Sequence, residues 1–288
     1  MRIAFLNRER TWAGGDLIAI DATMEALRRF GVECWYGAEH LERADLVHIF
    51  HCNYPWSRTN FRLAVEAGKP YVVTPVFYPE DRGMGRTEML EHLLRAEAVM
   101  PFSRTEGKEM QQWVGKEVPF TPVPNGTSWA FHAPNGGAER TMVKASAMRA
   151  DDGKRWEVIA EACRRLNLPF TLLAGITHQD LPQHYRRCRV FVSASGTERM
   201  SLVIGEALCA GCRVLSTVAN RGNEWYEPHL EKVDPGGSVE HFMRRIEAAY
   251  HVEGWCWEPN ERARAMTWSR TARALVEVYQ EVLAGVLC

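Results

Sequence analysis

Short apolar runs alternate with amphipathic stretches along almost the whole of this 288-residue chain, and that alternation limits its fold more than any other feature. In the first half, Arg2 to Asn7, Glu33 to Tyr36, Leu46 to His51, Tyr71 to Phe77, Ala98 to Ser103 and Phe120 to Asn125 read as strands. Between them Asp16 to Phe30, Asn60 to Ala67, Glu88 to Arg95 and a segment from Arg104 read as helices, with Leu17, Ile20, Met24 and Leu27 on one face of the first. Strands that alternate with helices are joined by crossovers, so the sheet is expected to be parallel and wound on both faces.

The rhythm stops at "APNGGAER", Ala133 to Arg140, a polar stretch with Gly and Pro of the kind that joins domains, and then restarts. Thr141 to Met148, Phe170 to Gly175, Arg189 to Ser195 and Cys212 to Val218 read as strands; Lys154 to Leu166, Leu181 to Cys188, Val239 to Tyr250 and Ser269 to Leu283 read as helices. Two α/β domains are expected, residues 1–135 and 136–265, with a C-terminal helical segment, 266–288, packing back on the first. A ligand would sit at the facing carboxyl edges of two such sheets, in a cleft between them.

A formal net charge of -1 argues against a protein that holds nucleic acid by electrostatics alone. No apolar run approaches the ~20 residues of a membrane span, and "MRIAFLNRER" is a strand followed by charges, so a soluble, cytoplasmic protein is expected. The eight cysteines lack the spacing of a disulfide framework. "CAGC", at Cys209 and Cys212, has neither a second ligand pair for zinc nor a thioredoxin-like setting, and reads as two small buried side chains.

The stretch "SGTERMSLVIGEALCAGCRVL", Ser195 to Leu215, lies on a strand, loop, helix, strand unit. Leu202, Val203, Ile204, Ala207 and Leu208 form the helical run, Ser201 stands where it can cap the first turn, and Gly211 suits a left-handed residue after the last. Glu198 therefore falls in the loop and Glu206 on the helix. In parallel sheets such loops lie at the ligand-binding edge, and a helix N-terminus there favours an anion.

The chain resembles the retaining glycosyltransferases of family 4, which have the two-domain GT-B fold. Their two glutamates separated by seven residues match Glu198 and Glu206; their Arg and Lys five apart match Arg149 and Lys154; and Glu161, Ala162, Tyr185, Pro124 to Gly126, Gly14 with Gly15, and "TWSRTARALVEVY" fall in the same order. Two departures stand out: "RMS" at Arg199 to Ser201, where the family has Gly and an aromatic, and Phe77, where many members have a His.

The resemblance implies a donor made of a sugar on a nucleoside diphosphate. Arg149 and Lys154 would neutralise the departing diphosphate, helped by the N–H groups of Met200, Ser201 and Leu202 and by close backbone approach at Gly14 and Gly15. Glu206 would accept hydrogen bonds from two ribose hydroxyls, and Glu198 would meet the transferred sugar. No cofactor or metal is implied, and Asp151 with Asp152 make only a weak magnesium candidate. His48 and His51 point to opposite faces of one strand, which suits core or edge residues better than a metal pair. Trp12, Trp56 and Trp129 fall near loops where an indole can stack on a ring.

The expectation is a retaining hexosyltransferase whose acceptor hydroxyl belongs to a glycan, a lipid, a small molecule or a modified base. The alternatives are a transferase acting on hydroxylated bases in DNA and a non-catalytic module that binds nucleotide-sugars.

Overall fold

The structure is a computed structural model that describes residues 1–10, 14–81, 83–132, 139–146, 153–253 and 260–286. The chain divides into two compact units, Met1–Gly126 with Trp268–Cys288, and Thr127–Thr267.

In the first unit, β1 (Arg2–Leu6), α1 (Gly15–Arg28), β2 (Glu33–Tyr36), β3 (Leu46–Phe50), α2 (Ser57–Glu66), β4 (Tyr71–Thr74), α3 (Arg86–Arg95), β5 (Ala98–Val99) and α4 (Arg104–Val114) follow in order. Their strands form one parallel sheet in the order β2-β1-β3-β4-β5. Alternation along each strand decides its covering. Ala4, Leu6, Val47, Ile49 and Val73 point to one face and pack with Phe61 of α2, Met89 and Leu93 of α3, and Met110 of α4.

The second unit repeats this plan. It contains β6 (Met142–Ser146), α5 (Trp156–Arg165), β7 (Phe170–Leu173), α6 (Leu181–Arg186), β8 (Cys188–Ser193), α7 (Leu202–Cys209), β9 (Arg213–Thr217), β10 (Glu231–Val233), α8 (Val239–Tyr250) and α9 (Glu261–Ala265). Its parallel sheet has the order β10-β9-β8-β6-β7, the same sequence of crossovers as the first. Val143, Ala145, Val190, Val192 and Leu215 meet Ile159 and Cys163 of α5 and Phe242 and Ile246 of α8. Strands buried on both faces need continuous apolar runs, which Val190, Phe191 and Val192 supply at the centre of β8.

The last helix, α10 (Trp268–Leu283), belongs to the first unit. It buries Thr271, Ala272, Leu275, Val278, Tyr279 and Val282. The Tyr279 hydroxyl lies 2.6 Å from His48 Nδ1, on the face of β3 opposite Val47 and Ile49, and Thr271 Oγ1 donates to Pro124 O at 2.8 Å.

Among the expected strands, two change most. Phe120 to Asn125 is not a strand: Thr121 and Val123 donate to Val99 O and Pro101 O, but Pro122 and Pro124 between and beyond them have no N–H to continue a ladder. The strand expected from Ala98 to Ser103 shrinks to Ala98–Val99: Met100 N–H still donates to Val73 O, but Pro101 after it has no N–H to continue the ladder. Among the described residues no helix is long and apolar enough to cross a membrane.

Candidate functional site

The strand order of the second sheet reverses between β6 and β8, and ligands of open parallel sheets bind beyond the carboxyl ends of such a pair. The loop beyond β6 reaches Lys154 before α5 begins, and the loop beyond β8 reaches Glu198 before α7 begins. The two side chains meet there in a direct, partly buried ion pair, Lys154 Nζ on Glu198 Oε2.

Backbone contacts hold the Glu198 loop. Glu198 N–H donates to Ala219 O at 3.3 Å, Arg221 N–H donates back to Glu198 O at 3.0 Å, and Gly222 N–H donates to Arg199 O at 2.6 Å. A Cβ on Gly222 would fall 2.8 Å from Met200 Cγ and 3.0 Å from its Cα, so this close approach requires glycine. Arg199, Met200 and Ser201 are consequently buried against the turn at Arg221–Trp225. The loop at Arg199 to Ser201 is thus packed into the unit.

Helix α7 starts without the cap expected of Ser201: the residue holds the N-cap position, but its hydroxyl makes no capping hydrogen bond. The C-terminal end follows expectation, with Gly211 at φ 76° donating to Leu208 O, where a Cβ would be strained.

On α7, Glu206 is buried and its carboxylate is gripped from two sides. His178 Nε2 lies 2.6 Å from Oε1, and the Tyr185 hydroxyl donates to Oε2 at 3.3 Å. The hydrogen bond to Glu206 raises the His178 pKa above its ordinary value, against the opposing effect of burial. The Phe131 ring lies 5.4 Å from that of His178 and 5.8 Å from that of Tyr185. Sequence reasoning missed His178, which sits in the short polar loop "ITHQD" with no periodicity to mark it.

The corresponding reversal in the first sheet lies between β1 and β3. Gly14 occupies the N-cap position of α1 in extended conformation and Gly15 is its first residue. A Cβ on Gly14 would meet Arg8 Nη2 and Asp16 Oδ1, which form an ion pair at 2.8 Å over it. Asn7 Nδ2 also donates to Asp16, at 2.9 Å. His51, at φ 70°, places Nε2 3.6 Å from Asp16 Oδ2, and burial holds its pKa below the ordinary range despite that carboxylate.

These loops carry the chemistry of a polar, anion-compatible site on a parallel α/β scaffold. Residues 150–251 match the family model of the glycosyl transferases group 1. No curated protein sequence matches the chain. Among solved structures, HepE from Anabaena in complex with UDP and glucose is 15% identical, with 98% of this chain and 100% of that chain covered at a TM-score of 0.76. Sucrose-phosphate synthase from Thermosynechococcus elongatus is 18% identical, with 99% of each chain covered at a TM-score of 0.74. A glycosyltransferase from Rickettsia africae ESF-5 is 12% identical, with 98% of each chain covered at a TM-score of 0.73. The chain has the α/β fold of the GT-B class, two parallel five-stranded sheets wound with helices.

The glycosyltransferase group 1 match spans Lys154, Glu198 and Glu206. Arg149, Asp151, Asp152 and Trp12 lie outside the described residues. Trp56 donates from Nε1 to Asn7 Oδ1 at 3.0 Å, while Trp129 is 61% exposed with its ring 4.5 Å from that of His132. His48 is a core residue bonded to Tyr279 and Thr74. Phe77 is fully buried, its ring 5.5 Å from that of Trp113. Glu161 is engaged at the surface by Arg164 and Arg165. Cys209 and Cys212 are buried, with burial pushing the Cys209 thiol up to about 12. Arg140 is a clasp of the second unit: its guanidinium donates to Tyr185 O, Cys188 O and Ala210 O.

Proposed function

We propose that this chain is a retaining glycosyltransferase that moves a sugar from a nucleoside-diphosphate donor to a hydroxyl acceptor without a metal ion. The observation that carries the reading is the Lys154–Glu198 pair in front of α7, with the buried Glu206 eight residues beyond Glu198 on that helix. Such a pair offers a diphosphate one cation and offers a sugar hydroxyl one carboxylate, the latter anchored in a clamped loop. The α7 N-terminus adds partial positive charge. Arg149 is assigned to the same diphosphate. The UDP and UDP-glucose complexes of HepE support a uridine diphosphate sugar as the first donor to try.

In the reaction the bond from the anomeric carbon to the diphosphate oxygen breaks, and its electron pair leaves with the diphosphate. The acceptor oxygen bonds to the same face of that carbon, and its proton passes to the leaving phosphate oxygen. Lys154 and Arg149 stabilise the charge that grows on the leaving group, Glu198 holds the transferred sugar, and Glu206 holds the ribose. The test is release of nucleoside diphosphate from UDP-, GDP-, ADP- and TDP-glucose, with and without acceptor alcohols, followed by proton NMR of the product. Release with net inversion would refute retention; no release or binding from any donor would refute the transferase.

A further inference from the structure

We propose that His178, with Tyr185, sets the Glu206 carboxylate for a ribose diol and thereby restricts this chain to ribonucleoside diphosphate sugars over their 2′-deoxy counterparts. The inference rests on the nucleotide-sugar reading of the same site and goes beyond it by assigning a positioning residue and a donor class.

Glu206 has a side chain only 4% exposed. An ionised carboxylate in such a place needs donors, and it has about four lone-pair sites to offer them. His178 takes one at Oε1 and Tyr185 one at Oε2, which leaves one acceptor site on each oxygen, the number a vicinal diol requires. The two donors also stop rotation of the carboxylate about its last bond. Tyr185 is fully buried, whereas the His178 side chain is 32% exposed and stands at the rim with its ring near Phe131. A 2′-deoxy donor would leave one of these two buried acceptor sites without a partner, and sites built to bind a hydroxyl reject ligands that lack it.

The experiment compares, by calorimetry, UDP with 2′-deoxy-UDP, GDP with 2′-deoxy-GDP and ADP with 2′-deoxy-ADP, on the wild type and on His178→Ala, His178→Gln and Tyr185→Phe. In the wild type the ribo form of the preferred base should bind about ten- to a hundredfold tighter than its deoxy form. His178→Ala should reduce that ratio to about threefold or less with little change in affinity for the deoxy form, and His178→Gln, which keeps an N–H donor, should restore most of it. A ratio in His178→Ala equal to that of the wild type overturns the proposal. Should His178→Ala fail to fold, the His178 ring is titrated by NMR in the wild type: ribose hydroxyls bonded to Glu206 weaken its pull on the imidazolium proton, so the pKa should fall further on adding UDP than on adding 2′-deoxy-UDP, which keeps only the 3′-hydroxyl. Equal shifts with both nucleotides overturn the proposal. If nucleoside diphosphates bind without preference for ribose, this inference alone falls; if none binds, the nucleotide-sugar reading falls with it.

Discussion

The two sheets have the same strand order, yet the points at which that order reverses hold different chemistry. In the first unit the carboxyl end of β1 is closed by its own side chains: Arg8 and Asn7 take up Asp16, Trp56 takes up Asn7, and His51 is buried beside them. In the second unit the groups stay partly open, with Lys154 28% and His178 32% exposed, each facing a glutamate. Shared topology therefore determines where a site can form, while the residues on a few loops decide whether it carries a neutralised cluster or a cation beside carboxylates.

The sharpest way to break this contrast is to remove the cations of the second unit. Lys154→Ala and Arg149→Ala should each lower kcat/KM by about ten- to more than a hundredfold, because a charge-assisted hydrogen bond to the diphosphate contributes about 1.5 to 3 kcal/mol. Part of the loss should appear in kcat, and Glu198→Gln should lower kcat more than it weakens nucleotide binding. Steady-state kinetics on variants shown to be folded by circular dichroism give the answer; near wild-type values for both cation variants would reduce the site to a solvated loop.

A smaller effect is expected at Glu206. Glu206→Gln should weaken nucleoside diphosphate binding about tenfold by calorimetry, the loss of roughly one strong hydrogen bond. Unchanged affinity would remove the ribose assignment and leave the grip of His178 and Tyr185 as a purely structural contact.

In the first unit the expected effect is on stability. Burial opposes ionisation of Asp16, but His51, Arg8 and Asn7 outweigh it and hold the carboxyl well below the usual carboxylate range. A group depressed in the folded state stabilises fully above its unfolded pKa of ~3.9, and the contribution disappears as pH falls from there through the folded pKa. Asp16→Asn should therefore cost about 1 to 2 kcal/mol at neutral pH, with the gap to wild type narrowing below pH ~4. Urea unfolding across that range measures it, and a gap independent of pH would show that Asp16 acts through packing alone.

The smallest effects are predicted for groups outside both reversals. Cys209→Ser combined with Cys212→Ser should leave turnover within about twofold, since both thiols are buried at the end of α7, and EDTA should change activity no more than that. Loss of activity that added Mg²⁺ or Zn²⁺ restores would overturn the metal-free reading.

Much of the scaffold was legible in the amino-acid order, because parallel strands wound on both faces must be apolar throughout and crossover helices must be amphipathic. Leu46 to Phe50 and Arg189 to Ser193 announce themselves in this way. Elements too short for a period did not: β10, three residues at Glu231–Val233, and α9, five residues at Glu261–Ala265, carry no readable pattern. Phe120 to Asn125 misled because Phe120, Thr121 and Val123 are strand-favouring residues while its prolines remove the N–H groups that pairing needs.

Lys154, Glu198 and Glu206 were readable as candidates from spacing along one strand, loop, helix unit and the loop before it. Tertiary structure alone decided what each of them touches. His178 reaches Glu206 across 28 residues of sequence, Lys154 reaches Glu198 across 44, and Ser201 forgoes its cap in a loop pinned to Gly222. Periodicity reports which face of an element is buried, a local property of consecutive residues. The partner of a polar side chain depends on where separate loops land once a sheet and its helices are packed, and no local pattern carries that distance.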